Sequence, residues 1–517
     1  MHARVAVFVL VVGVVALVGY YFAEPLLADR RQLFTSDARA TKASITIGVD
    51  NWIGYFPLCS PVMRKNLRAD GYLLKCEDDA ADYAGRMAAL RAGTLDFAVA
   101  TVDSYLLNGS RENFPGTIVM VIDESKGGDA ILARKDAVSS LEDLKRQQAL
   151  KVAFTPNSPS EHLIKALGAH FDIAQLRQRD GSWRVETEGS TEARRKLESR
   201  EADVAVLWEP DVSRALADPS ITKLLGTEDT EKLIVDILLV RREFSVDQPE
   251  AVRALLSQYF RTLKHYRDDP DEMREHVADE TGLDGDQVTR MLEGVGWVTL
   301  QENGSTWFGL NARGEYARDG IVDAVRSTVQ ILVDAGDFTA DPLPDRDPYR
   351  ILHSEPIEWL FENGVFGVVN VSEDPEGDSL SRRFEPLGDS DWERLREIGT
   401  LKVRPTTFQS GTAQLSLEGK RELDKAAENL KHYPNFRVVV TGHTGVRGDP
   451  AANRELSQQR AASVARYLSV TYGIDPARLR PLGKGASEPL ARRPGESERA
   501  YNYRLPRVEM FLVAEVY

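Results

Sequence analysis

By type, the side chains best suited to chemistry in this chain are its eight histidines and two cysteines, and their spacing gives them little to do. His2, His162, His170, His265, His276, His353, His432 and His443 form no HExxH or similar ligand pair, so neither a metal nor a cofactor is expected. Cys59 lacks the surroundings of a nucleophile, and neither it nor Cys76 belongs to a CxxC. Gly-x-Gly-x-x-Gly and P-loop patterns are absent, and the chain does not read as an enzyme. What remains suits holding a ligand. Trp52, Asp103 and Trp208 each lie just beyond a short apolar run that reads as a strand, where open α/β sheets place their ligands. An indole offers a flat apolar wall with one donor. Thr155-Pro156-Asn157-Ser158-Pro159-Ser160 leads into a helical pattern over Glu161–Ala169, whose free backbone amides suit an anionic group. Each has a plainer reading: the tryptophans as core, Ser160 as a helix cap.

The elements that must position these residues alternate. Ile45–Val49, Tyr72–Glu77 and Phe97–Ala100 read as strands, with helical patterns after Pro57 and over Tyr83–Ala92 between them, which predicts an α/β sheet domain. RMAALRAGTLDFAVA, ending at Ala100, is echoed by ARRKLESREADVAVL, ending at Leu207, with Asp96 and Asp203 in matching places. Two similar lobes would produce this echo, and so would chance. A largely helical region follows Val235, then a mixed connector over 346–397.

At 517 residues the chain has room for about three domains. A net charge of −15 provides no phosphate-neutralising excess and excludes a nucleic-acid partner. Val5–Phe22 is an uncharged apolar run of 18 residues, about 27 Å as a helix, close to the hydrocarbon thickness of a bilayer. It reads as one N-terminal transmembrane helix, the alternative being a cleaved signal peptide, whose apolar core is usually about 7–15 residues. In an exported chain Cys59 and Cys76 could form a disulfide, or stay as two buried thiols.

Three stretches resemble a known family. Asn51-Trp52-Ile53-Gly54-Tyr55-Phe56-Pro57-Leu58 looks like a W-x-G-Y-x-P-L loop, Val206-Leu207-Trp208-Glu209-Pro210 like a W-E-P segment, and Ser125-Lys126-Gly127-Gly128-Asp129-Ala130 like a crossover into a second lobe. Together they are similar to the periplasmic substrate-binding proteins of the nitrate/sulfonate/taurine (thiamine-precursor-like) group of ABC transporters. The resemblance implies an α/β two-lobed type II periplasmic binding protein fold over 44–345, with a second lobe at about 131–228. It implies a small anionic or zwitterionic ligand, held by Trp52, Tyr55, Asp103, Ser158, Ser160, Trp208 and Glu209.

Residues 398–517 resemble the OmpA-like peptidoglycan-binding domain, an α+β fold. Gly442-His443-Thr444 closes a strand, and Asn453, Leu456, Ser457, Arg460, Ala461 and Val464 match the family's N-x-x-L-S-x-x-R-A-x-x-V in order and spacing. The resemblance implies that Thr444, Asn453, Arg460 and Arg507 contact the diaminopimelate of the stem peptide, with Arg460 on its carboxylate. Gly445 stands where the family has an aspartate, which weakens the expected grip on peptidoglycan; Asp449 is the nearest carboxylate that could replace it. The expected whole is an anchor at 1–22, a spacer at 23–43, a binding module, a connector and a wall-binding domain. It sits single-pass in a bacterial inner membrane with its bulk in the periplasm, and its partners include the membrane and a membrane protein. The rival is a structural component of an envelope complex, a stator-like anchor with a repurposed binding module.

Overall fold

Strands β1 (Ala43–Val49), β2 (Tyr72–Asp78), β3 (Phe97–Thr101) and β4 (Gly116–Ser125) begin the first lobe. The chain then crosses over and builds β5 (Asp129–Arg134), β6 (Val152–Phe154), β7 (Arg184–Glu186), β8 (Val204–Trp208) and β9 (Ile221–Gly226) before returning with β10 (Val235–Arg241) and β11 (Val295–Trp297). The first sheet runs β11-β4-β10-β3-β1-β2 and the second β7-β6-β8-β5-β9. The structure is a computed structural model and describes residues 41–147, 149–310, 320–363, 380, 382–403, 406–409 and 411–514. Val5–Phe22 and much of the connector lie outside these residues; among the described ones no helix is long and apolar enough to cross a membrane.

Both lobes are built on apolar strands buried on two faces, as mixed sheets covered by helices require. The echoed segments take equivalent places. Asp96 accepts a hydrogen bond from the Thr46 amide at 3.0 Å at the edge of β1, and Asp203 accepts one from the Lys151 amide at 3.0 Å beside β6. Cys59 and Cys76 are joined in a disulfide, which ties the Phe56–Cys59 turn to β2.

Two crossovers link the lobes, Ser125–Asp129 and Gly226–Val235, and Thr227 joins them. Its buried hydroxyl lies 2.8 Å from the Ser125 hydroxyl and accepts from the Gly127 and Asp129 amides at 2.9 and 3.2 Å. The expected connector is not all linker: Ile357 and Leu360, on the helix Glu355–Glu362, are fully buried in the core of the first lobe.

The C-terminal sheet runs β12 (Arg396–Leu401), β15 (Arg507–Ala514), β13 (Arg437–His443), β14 (Leu479–Gly485). Helices Leu417–Lys431 and Pro450–Tyr472 belong with it; the Ser416 hydroxyl caps the first by accepting from the Gly419 amide at 3.0 Å. This domain shares a continuous apolar core with the second lobe, in which Leu141, Leu144 and Phe171 meet Ile398, Leu430 and Tyr433. Gly399 is required there, because a Cβ would lie 2.7 Å from the Phe171 ring. The domain also holds the second crossover. Asn435 donates to the Glu228 carbonyl at 3.0 Å, the Glu231 amide donates to the His432 carbonyl at 3.0 Å, and the His432 ring lies 2.8 Å from the Glu231 carbonyl.

Candidate functional site

Between the lobes lies a small cavity lined by Asp50, Trp52, Tyr55, Tyr83, Thr101, Asp129, Pro159, Trp208, Ile234 and Asp236. It opens beyond the carboxyl ends of β1, β3 and β8 and at the crossovers, as strand topology predicts. The turn after β1 positions Trp52. Its amide donates to Asp50 at 3.0 Å, and its indole nitrogen donates to Asp123 at 3.3 Å. Gly54 makes that fit possible, because a Cβ there would lie 2.1 Å from an Asp123 oxygen. Tyr55 donates its phenol to Asp236. Asp236 and Asp123 are register partners on β10 and β4.

Three expected residues, Trp52, Tyr55 and Trp208, line the cavity; four do not. Asp103 is buried behind Thr101, with one carboxylate oxygen lacking a hydrogen-bond partner. Ser158 and Ser160 flank Pro159 but are fully buried, and the Ser158 hydroxyl accepts from the Ser160 amide at 3.2 Å. Glu209 turns away, accepting from the Ser213 amide at 3.1 Å and the Ser213 hydroxyl at 2.7 Å. Sequence reasoning missed Asp50, Tyr83, Thr101, Asp129, Ile234 and Asp236. The available signal was an acid inside an otherwise apolar strand: Asp123 in Ile118–Asp123 and Asp236 in Val235–Val240.

The expected ligand, anionic or zwitterionic, meets an acidic lining. Among the described residues no lysine, arginine or histidine lines the cavity, whereas Asp50, Asp129 and Asp236 do. The Arg86 guanidinium nearby is fully engaged by Asp50 at 3.0 Å, by Asp79 and by the Val99 carbonyl at 2.9 Å. Burial pushes the Asp123 carboxyl up to about 8, and neighbouring Asp129 and Glu124 add to this. Burial also pushes Asp129 up to about 7 and Asp103 up to about 7. Asp236 is driven well above the carboxylate range, by burial first and by Asp123 next.

In the C-terminal domain, Thr444 donates its amide to Gly485 at 2.9 Å at the end of β13. Asn453 donates to the Arg447 carbonyl at 3.0 Å, shaping the loop after Gly445. Arg460, seven residues further along the same helix face, donates to the Thr412 carbonyl at 3.1 Å and lies 5.0 Å over the Phe408 ring. Arg507 pairs with Glu509 at 2.7 Å. Asp449, the candidate replacement carboxylate, instead caps its helix by accepting from the Ala452 amide at 2.8 Å.

Residues 79–285 match the family model for the ABC transporter, phosphonate, periplasmic substrate-binding protein, and residues 407–503 match the OmpA family model. Among curated proteins the C-terminal region is similar to the probable lipoprotein YiaD of Escherichia coli, 40% identical over 99 residues, 19% of this chain and 45% of that protein. It is also similar to the peptidoglycan-associated lipoprotein of Pseudomonas aeruginosa, 37% identical over 116 residues, 22% of this chain and 65% of that protein. The chain thus spans about half to two thirds of the length of these relatives. Among solved structures, the alkanesulfonate-binding protein SsuA from Xanthomonas axonopodis pv. citri, bound to MOPS, aligns at 16% identity with a TM-score of 0.46, covering 61% of this chain and 100% of that one. A putative periplasmic sulfonate-binding protein SsuA from Methylobacillus flagellatus aligns at 12% identity with a TM-score of 0.49, covering 65% and 100%. The chain therefore joins a periplasmic substrate-binding domain, matched over residues 79–285, to an OmpA-like domain, matched over residues 407–503.

Proposed function

We propose that the protein binds a small solute between its two lobes and attaches to peptidoglycan through its C-terminal domain, held at the inner membrane by Val5–Phe22. The observation that carries the first part is that one cavity is lined by Trp52 from the first lobe and Trp208 from the second, so that closing the lobes brings two indoles onto one solute. The second part is supported by the OmpA family match and by Thr444, Asn453 and Arg460 standing at the strand end and helix face that the motif requires. Trp208→Ala in the full-length protein weakens solute binding by about tenfold, the loss of about 1.4 kcal/mol. Intrinsic fluorescence and mass spectrometry of retained small molecules measure this. A solute bound with equal affinity by wild type, Trp52→Ala and Trp208→Ala would remove the cleft assignment.

A further inference from the structure

The cleft's chemistry narrows the solute, and the narrowing rests on the reading that the cleft is a solute site. Its walls are aromatic: Trp52, Tyr55 and Tyr83 from the first lobe, Trp208 from the second. Its polar lining is acidic, with Asp50, Asp129 and Asp236. Behind the wall Asp123 holds the Trp52 indole N–H, which leaves the indole face for a ligand.

Among the described residues, the buried cations Arg86 and Lys165 are committed elsewhere. Arg86 is spanned by Asp50 and Asp79, and Lys165 by Glu161 at 3.1 Å and Asp337 at 2.9 Å. Two amides at the helix start that an anion would need are answered from within, although the Ser160 and Thr155 hydroxyls there have no partner. Pro159 has no N–H, Ser158 takes the Ser160 amide, and the Glu161 carboxylate takes the Asn157 amide at 2.6 Å. An anion entering here would lose its water to face buried carboxyls, whereas a cation would gain both ring faces and counter-charge.

We infer that the cleft takes a small organic cation, an ammonium or amidinium head seated between the aromatic rings and neutralised by Asp129 and Asp236. This inverts the charge expected of a phosphonate- or sulfonate-binding relative. Burial raises Asp129 and Asp236 above the carboxylate range, which favours their protonated forms when no cation is present. The titratable groups facing Asp236 are Tyr55, Tyr83, Tyr259, Asp50, Asp123 and Asp129. A cation that arrives displaces protons from Asp123, Asp129 and Asp236, so affinity rises with pH from 6 to 8.

Calorimetry on the full-length protein with choline, agmatine, methylphosphonate and ethanesulfonate tests the inference, together with mass spectrometry of solutes retained from cell extract. The expected result is binding of a cation, or recovery of one, weakened about tenfold or more by Asp236→Asn and by a shift from pH 8 to pH 6. Binding or recovery of an anion, tightened by Asp236→Asn, overturns the inference and leaves the solute-binding reading standing. No probe bound and no solute retained at either pH overturns both.

Discussion

His170 of the second lobe and His432 of the C-terminal domain stack face to face, their ring centroids 5.4 Å apart and their planes 15° from parallel. Both rings are buried. His170 meets the Tyr433 hydroxyl at 2.8 Å, and His432 meets the Ser327 hydroxyl at 2.6 Å. Burial pushes both rings below the ordinary histidine range, and their mutual repulsion lowers His170 further. A histidine kept neutral in the fold charges in the unfolded chain below about pH 6.5, so the seam loses stability as pH falls through that value. The cleft carboxyls act in the opposite sense, because their raised values favour the fold as pH falls from about 8 toward 4. The comparison must therefore be differential. Urea unfolding of wild type and His170→Gln should show a stability gap that narrows or reverses in favour of the variant between pH 7.5 and pH 5. A gap that does not change with pH would discard the seam as a titrating element.

Replacing His432 by alanine leaves the Glu231 carbonyl without its ring partner and removes the bond to Ser327. The expected cost is about 1–3 kcal/mol. Denaturant unfolding measures the cost, and limited proteolysis at the crossover should show faster cutting; a variant indistinguishable from wild type in both counts against the contact.

The Cys59–Cys76 disulfide closes a loop with a sequence separation of 17. A loop of this length contributes about 3 kcal/mol in the chain-entropy model. The double Cys→Ser variant should lose that much in urea unfolding, while thiol labelling of denatured, unreduced wild type should find no free thiol.

Arg86 is 1% exposed and holds Asp50 and Asp79 together under the cleft floor. Arg86→Met leaves two carboxylates facing each other without a counter-charge, at an expected cost of about 3–5 kcal/mol. Thermal unfolding shows the loss, and Asp50→Asn in the same chain should recover part of it.

At Gly445 a side chain has room: a Cβ meets nothing within 4 Å, and the residue is not among the glycines with positive φ. Gly445→Asp would supply a carboxylate for the free ammonium of the stem peptide. One charge-assisted bond, about 1.5–3 kcal/mol, corresponds to about ten- to a hundredfold tighter retention. Cosedimentation of the full-length protein with purified sacculi tests this, with Arg460→Ala as the loss-of-binding control. No retention of wild type and no gain in the variant would mean a domain that keeps the fold without the grip.

Much of the architecture was legible because it is local. The helix, turn and strand ending at Ala100 and again at Leu207 are readable as words, and Asp96 and Asp203 then make the same bond to the same kind of neighbouring amide. The motif spacing from Asn453 to Val464 likewise needs only one helix. The cleft's charge was not legible. Asp50, Asp129 and Asp236 come from separate segments, and only the packing of the two sheets sets them around one space. Asp103, Ser158, Ser160 and Glu209 fall outside the lining for a related reason. Residues beside a cleft satisfy their own backbone and neighbours first, as Glu209 does with Ser213. The seam between the modules is also invisible in the sequence, since His170 and His432 belong to no motif.

The grip of Asn435 and His432 on Glu228 and Glu231 falls on one of the two crossovers by which the lobes are joined. Any rotation of one lobe against the other has to pass through backbone that the C-terminal domain already holds. If a bound solute changes the state of that crossover, occupancy of the cleft and seating of the domain are linked, and the linkage is reciprocal in free energy.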